Sequence, residues 1–322
     1  MAGITPYQLT DLPGVIPGRE PTITLHRVSK WYGDIVAVSD VTFGVAPGVT
    51  ALLGPNGAGK TTTLKMITGL LSASSGAISI LGKPARGHAD IYRQVGLVHE
   101  AEHIYPYLTG REFVRINGIL QRIADLELAV DRAIHLVEMA DAQHRRIGGY
   151  SKGMRQRIKV AAALVHDPAV LLMDEPLNGM DPAQRLQMIN LIRELGRSKT
   201  VLVSSHILAE VERFSENIIV IVNGKLAAAG DYRAIRDRID THDHAIRIRA
   251  SDPRFLAMAL IGHPTTKAVR IGKDDRLIVE TDDVRGFALA LPQLAKKADV
   301  RLLDVGAADE SLASVFSYLV EG

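Results

Sequence analysis

The run Gly54-Pro55-Asn56-Gly57-Ala58-Gly59-Lys60-Thr61-Thr62 fills the pattern G-x-x-x-x-G-K-[ST] at every position. The chemistry available to it is that of a phosphate cradle. Glycines let the backbone curl so that successive N–H groups point inward at phosphate oxygens. A helix starting here adds the partial positive charge of its N-terminus. Lys60 is long enough to reach the β- and γ-phosphates of a nucleoside triphosphate, and the Thr61 hydroxyl can hold Mg²⁺. The bland alternative is a glycine-rich turn that binds nothing, and the flanks argue against it. Val49-Thr50-Ala51-Leu52-Leu53 reads as a buried strand, and Thr63-Leu64-Lys65-Met66-Ile67 as the first turns of a helix.

A second pair of residues narrows the chemistry. Val170-Leu171-Leu172-Met173-Asp174-Glu175 is an apolar strand ending in two acids. Beside a phosphate loop, Asp174 can hold Mg²⁺ through its water shell, and Glu175 can accept a proton from a water attacking the γ-phosphate. A solvated acidic pair is the alternative, made less attractive by the loop already found. No Asn-Lys-x-Asp segment is present to read guanine, which argues against a GTPase. His99-Glu100-Ala101-Glu102-His103 fits the zinc-peptidase pattern H-E-x-x-H. That pattern needs a helix to bring both histidines to one face. Here it follows a strand and Pro106 soon interrupts, so peptidase chemistry is not expected.

Composition sets outer bounds. The 322 residues suffice for one large domain and a small one. A net charge of +2 lacks the basic excess of a nucleic-acid binder, and the absence of cysteine excludes disulfides and thiolate chemistry. No apolar run approaches the roughly 18 residues of a membrane span. Residues 1–21 lack a basic stretch followed by an apolar core and are expected to be a flexible tail rather than a secretory signal. The cytoplasm is the default compartment.

The elements that must position these residues follow in order. Strands are expected at Thr22–Leu25, Val41–Val45, Ala77–Leu81 and Val95–Val98. Thr109-Gly110-Arg111-Glu112 has the form of a capping box opening an amphipathic helix, with a second over Val130–Ala140. A third opens at Tyr150-Ser151-Lys152-Gly153-Met154. Leu186–Leu195 reads as helix, Thr200–Val203 as strand, and Ile218–Val222 with Lys225–Ala228 as a hairpin around Asn223-Gly224. Strands alternating with helices imply a largely parallel sheet. After about residue 240 the pattern becomes βαββαβ, with a terminal helix from Ser311, the order of a ferredoxin-like α+β unit. The expected division is residues 22–238 and residues 240–322.

With Tyr150-Ser151-Lys152-Gly153-Met154-Arg155-Gln156-Arg157 added, the sequence resembles the ATP-binding cassette of ABC transporters over roughly Thr22 to Arg238. The resemblance implies a phosphate-loop ATPase with a mostly parallel sheet and a helical subdomain. It implies that Tyr32 stacks on adenine, that Gly54 to Thr62 hold the phosphates, and that His206 contacts the γ-phosphate and orders Glu175. Ser151, Lys152 and Gly153 match the signature turn that faces ATP on a partner cassette. Asn178-Gly179-Met180-Asp181 match the loop that crosses the dimer interface. Where the family usually has glutamine, this chain has Glu100, which can still take a Mg²⁺ water but adds negative charge beside the triphosphate. The implied partners are a second cassette, associating head-to-tail, and an integral membrane permease on whose cytoplasmic face the chain sits. Similarity in Tyr150–Met154 and Glu310–Phe316 points to the exporter branch. A soluble ABC ATPase acting on DNA or ribosomes would be marked by an inserted coiled coil or a second cassette, neither of which occurs. A regulatory nucleotide-binding module without transport is the other alternative.

Overall fold

Three apolar runs dictate where the phosphate loop must sit. Strands β3 (Gly48–Leu53), β7 (Val170–Asp174) and β8 (Thr200–Ser205) are buried almost throughout. Strands apolar on both faces need cover on both, the situation of a parallel sheet between layers. The computed structural model describes residues 12–15, 20–100, 104–236, 244–272, 276–307, 312 and 316. In it these strands join β6 (Val95–Val98), β9 (Asn217–Val222) and β10 (Lys225–Asp231) in a six-stranded sheet of order β10-β9-β3-β8-β7-β6. All neighbours pair in parallel except β9 and β10.

A second sheet accompanies it, antiparallel and four-stranded, of order β2-β1-β4-β5. Its strands are β1 (Ile23–Tyr32), β2 (Ile35–Val45), β4 (Ser75–Ile80) and β5 (Lys83–Pro84). The alternation in the sequence predicts only the ends of β1 and β2. The structure continues both to a hairpin at Gly33-Asp34, because register shifts at Leu25/Val28, Val28/Lys30 and Lys30/Trp31 break the period-two pattern. Helix α1 (Lys60–Ile67) packs against both sheets. Its Leu64 and Ile67 share one buried cluster with Leu25 and Phe43 on one side and Leu52, Leu172 and Leu202 on the other. Residues 12–15 form a turn whose Pro13 carbonyl accepts from the Gly44 N–H at 2.9 Å.

The helical region comprises α2 (Gly110–Leu120), α3 (Leu126–Leu136) and α4 (Lys152–Leu164). Thr109 caps α2 reciprocally: Glu112 N–H donates to Thr109 Oγ1 at 3.2 Å, and Thr109 N–H to Glu112 Oε2 at 2.8 Å. Arg111 of α2 pairs with Glu127 and Asp131 of α3. Helix α3 stops earlier than the apolar spacing predicts. Val137 is its cap and Glu138 takes φ 54°, a left-handed conformation that no helix continues through. The helices that follow along the chain are α5 (Pro182–Leu195), the single turn α6 (Leu208–Val211) and α7 (Tyr232–Arg236).

The chain divides into two compact units, residues 1–232 and 233–322. The second contains β11 (His244–Ala250), α8 (Pro253–Ile261), β12 (Ala268–Ile271), β13 (Leu277–Thr281), α9 (Val284–Lys297) and β14 (Leu302–Ala307). Its sheet order β12-β13-β11-β14, antiparallel throughout, is that of a ferredoxin-like βαββαβ unit. Asp252 caps α8 by accepting from Arg254 and Phe255 N–H, and Asp283 caps α9 by accepting from Gly286 N–H. Its core gathers Ile248, Leu256, Leu260, Val279, Phe287 and Leu291. The residues of the β12–β13 turn, 273–275, lie outside the described set, as does most of the terminal helix expected from Ser311.

Each unit having its own core, damage to the second should leave the first intact. Phe287→Ala, at a side chain with 0% exposure, is expected to destabilise the second unit by about 3–5 kcal/mol. Calorimetry combined with titration of a fluorescent adenine nucleotide checks this: nucleotide affinity is expected to stay at the parent value, and its loss would contradict independent units.

Candidate functional site

Strand register builds the site. Leu53 at the end of β3 pairs with Ser205 of β8, and Ser204 of β8 pairs with Asp174 at the end of β7. The phosphate loop, Asp174-Glu175 and His206 therefore leave one edge of the sheet side by side, at the carboxyl ends of parallel strands. Asn56, Gly57, Ala58, Gly59, Lys60, Thr61 and Thr62 line a cavity of about 390 Å³ together with Glu100, Glu175 and His206, and with Ala37 and Asn178.

The loop's shape requires glycine at two places. Gly54 has φ 158°, and a Cβ there would stand 2.2 Å from the Ile221 carbonyl oxygen. Gly59 has φ 103°, with a Cβ only 2.6 Å from the Ala37 carbonyl oxygen. The tip of the β9–β10 hairpin also holds the loop, as Gly224 N–H donates to the Ala58 carbonyl at 3.2 Å. Gly59 is the N-cap of α1 without a side-chain cap, and the helix has no acid in its first turn. Its positive end has no cap of its own, and its first-turn residues line the cavity.

Lys60 is buried, and its ammonium donates to the Gly54 and Pro55 carbonyls at 2.8 and 3.2 Å. Burial pulls its pKa below the ordinary lysine value, against the opposing charges of Glu175, Asp174 and Glu100. The acids are joined by hydroxyls. Thr61 Oγ1 donates to Asp174 Oδ2 at 3.0 Å, and Ser204 Oγ donates to Asp174 Oδ1 at 2.6 Å while accepting from Glu175 N–H at 3.0 Å. His206 Nδ1 lies 2.9 Å from Glu175 Oε2. Glu175 itself takes φ 49°, an uncommon conformation for a residue with a side chain and one that recurs at functional sites. Burial pushes its pKa above the ordinary carboxylate value, with the His206 hydrogen bond and nearby charge pulling the other way.

The other sequence-predicted residues lie elsewhere. Tyr32 ends β1, half-exposed, with the Lys30 ammonium 5.0 Å from its ring centre, and lines no part of the phosphate cavity. Ser151 caps α4 by accepting from Met154 N–H at 3.2 Å. Gly153 sits in the first turn against Gln184, and Lys152 lines a neighbouring cavity. Asp181 caps α5 through Gln184 N–H at 2.9 Å. Among the described residues, no group of three or more His, Cys, Asp or Glu is placed to hold a metal ion. His99 and Glu100 follow β6, and residues 101–103 of the H-E-x-x-H run lie outside the described set. Sequence reasoning missed Ser204 as the residue that joins both acids; its signal was a hydroxyl ending an apolar strand. Ala37 gave no signal at all.

This architecture, a phosphate-loop sheet with an antiparallel sheet and a helical layer, is that of an ATP-binding cassette. The family model "ABC transporter" matches residues 38–178. The uncharacterised ABC transporter ATP-binding protein YxlF of Bacillus subtilis is 34% identical over 230 residues, 70% of this chain and 77% of that protein. Nod factor export ATP-binding protein I of Rhizobium leguminosarum bv. viciae is 32% identical over 288 residues, 88% of this chain and 90% of its own length. That match is longer than the first unit, so it extends into the second. Among solved structures, an ATP-binding subunit of an ABC transporter superposes with TM-score 0.63 at 29% identity, covering 67% of this chain and 92% of the other. A dimeric bacterial ABC transporter cassette gives 0.59 at 26% identity over 63% and 96% of the two chains. The chain belongs to the ABC transporter family, as an ATP-binding subunit.

Ser204→Ala removes the donor from a buried carboxylate oxygen, a loss of about 1.5–3 kcal/mol for a bond to a charged group. Denaturant unfolding is expected to show that loss, with turnover falling about tenfold through misplacement of both acids; unchanged stability and turnover would contradict the bridging role. Glu175 supplies a pH test. Its raised pKa means that its charge destabilises the folded chain; the penalty is full above the raised pKa and fades as the pH falls through it toward the ordinary carboxylate value. Glu175→Gln is therefore expected to raise Tm near pH 8, with the gain shrinking toward acid. A gain independent of pH would contradict burial as the cause.

Proposed function

We propose that this chain binds and hydrolyses Mg²⁺-ATP and thereby energises an ABC exporter, acting as a head-to-tail dimer on the cytoplasmic face of an integral membrane permease. The observation that carries this reading is the hydrogen-bonded series Thr61–Asp174–Ser204–Glu175–His206 along the phosphate cavity. Export is supported by the relatives named for Nod factor export. Among the described residues no helix is long and apolar enough to cross a membrane, which fits a chain that relies on a separate permease.

The residues present fit Mg²⁺. Thr61 Oγ1 and Asp174 Oδ2, 3.0 Å apart, are two hard oxygens, and an ion held by so few protein groups keeps waters and substrate phosphates as its other ligands. Thr61 and Asp174 would hold it, with Glu100 acting through a water. When bound, it supplies charge neutralisation for the triphosphate.

The chain's own groups do the rest. The loop N–H groups and Lys60 neutralise the phosphates, and Tyr32 offers a ring to adenine. Glu175 takes a proton from the attacking water as that water's oxygen bonds to the γ-phosphorus and the bond to the bridging oxygen breaks. Its raised pKa makes it the better proton acceptor. His206 fixes the carboxylate and stands at the cavity wall to meet the γ-phosphate. Ser151, Lys152 and Gly153 present the exposed N-terminus of the 13-residue helix α4 to the γ-phosphate of a partner. The Asp181 loop crosses between the copies.

Glu175→Gln keeps size and hydrogen-bonding groups while removing the base. It is expected to bind ATP normally, to lose turnover by ~10²–10⁴-fold, and to elute as a dimer on size-exclusion chromatography only with ATP and Mg²⁺. Normal turnover in this variant would sink the role given to Glu175.

A further inference from the structure

A second cavity, of about 460 Å³, adjoins the phosphate cavity and shares Thr61, Glu100, Glu175 and Asn178 with it. Its remaining walls have a different character. Lys65 of α1 and Lys152, Arg155 and Lys159 of α4 line it, so four cations stand against the two shared carboxylates. Arg155 and Lys159 are tethered, donating to the Tyr150 and His99 carbonyls at 2.6 and 2.7 Å. Lys65 is not: it is a partly buried residue, and among the described residues its ammonium has no hydrogen-bond or ion-pair partner. Gln156 also lines the space. It is 6% exposed, and its Nε2 is buried with no hydrogen-bond partner among the described residues. A buried amide donor without an acceptor costs about 1–3 kcal/mol. An orphan donor and an unpaired cation on residues that line one polar cavity mark a place for an oxyanion.

We propose that this cavity is a site for inorganic phosphate, which receives the phosphate formed by hydrolysis before it reaches solvent; this rests on the ATPase reading above. Charge sets the direction. Once the bond to ADP has broken, the product dianion lies against Glu100, which repels it, while Lys65 and the α4 cations that line the second cavity attract it. Lys65 and the Gln156 amide supply donors to its oxygens. The volume admits a phosphate with several waters of about 30 Å³ each. Neither Lys65 nor Gln156 lines the cavity that takes the nucleotide phosphates, so their effects on phosphate and on nucleotide are separable.

The test uses the full chain with Mg²⁺ and ADP, titrating inorganic phosphate by calorimetry and as a product inhibitor of ATP turnover. Lys65→Met and Gln156→Leu are each expected to raise the phosphate dissociation and inhibition constants about tenfold, with ADP and ATP affinity within twofold of the parent. Lys65→Arg is expected to restore phosphate affinity. Unchanged phosphate constants in both variants, with circular dichroism showing each folded, overturn the proposal. So does a loss of ADP affinity equal to the loss of phosphate affinity, which would place Lys65 on the nucleotide. Lys60→Ala serves as the control. If it and the parent bind and hydrolyse ATP alike, the ATPase reading fails and takes this inference with it; if Lys60→Ala alone loses ATP, only the phosphate site is at stake.

Discussion

Everything at the site depends on the register of three parallel strands. Neighbouring strands lie about 4.8 Å apart, so groups leaving β3, β8 and β7 at paired positions fall within side-chain reach. Leu53 opposite Ser205 and Ser204 opposite Asp174 is the pairing that occurs. It places a hydroxyl between two acids and next to the phosphate loop, so one buried side chain, Ser204, bonds Asp174 and the Glu175 backbone at once. A slip of one residue would turn Ser204 to the opposite face of the sheet and leave Asp174 without its donor.

Burial then sets the electrostatics. Lys60 and Glu175 are both withdrawn from water, which disfavours the charge on each, and each partly restores the other's. The loop adds a helix N-terminus with no side-chain cap and no acid in its own first turn. A triphosphate would satisfy the cation and the helix end together, while the carboxylate stays basic enough to take a proton. The left-handed backbone at Glu175, a strain of about 1–3 kcal/mol, is held by the Ser204 hydroxyl on its N–H and by His206 on its carboxylate.

Helix α4 reaches this chemistry through its side chains rather than its ends alone. Lys159, buried in the middle of the helix, donates to the carbonyls of His99 and Glu100, so the loop that carries Glu100 is tied to the helical region. The same helix begins at Ser151, whose hydroxyl is engaged by Met154 N–H. A shift of α4 would therefore move both the turn at Ser151 and the loop that carries Glu100. This gives a physical route by which a partner touching the helices could alter the site.

The phosphate loop, the acids after β7 and the ferredoxin-like order of the second unit were legible in the sequence because each is written in local chemistry: glycine spacing, an apolar run ending in charge, alternation and caps. The capping box at Thr109 and the Asp caps at Asp252 and Asp283 are local in the same sense. The full length of β1 and β2 was not legible, since bulges erase the alternation that betrays a strand. Nor was the separation of the antiparallel sheet from the parallel one, which depends on pairing between residues far apart in the chain. The bridging role of Ser204, the Ala37 wall, the hold of Gly224 on the loop and the cavity beside Lys65 and Gln156 were decided only by tertiary structure. Each joins residues from strands or helices distant in sequence, and residue type alone cannot say which hydroxyl or amide will be buried beside which charge.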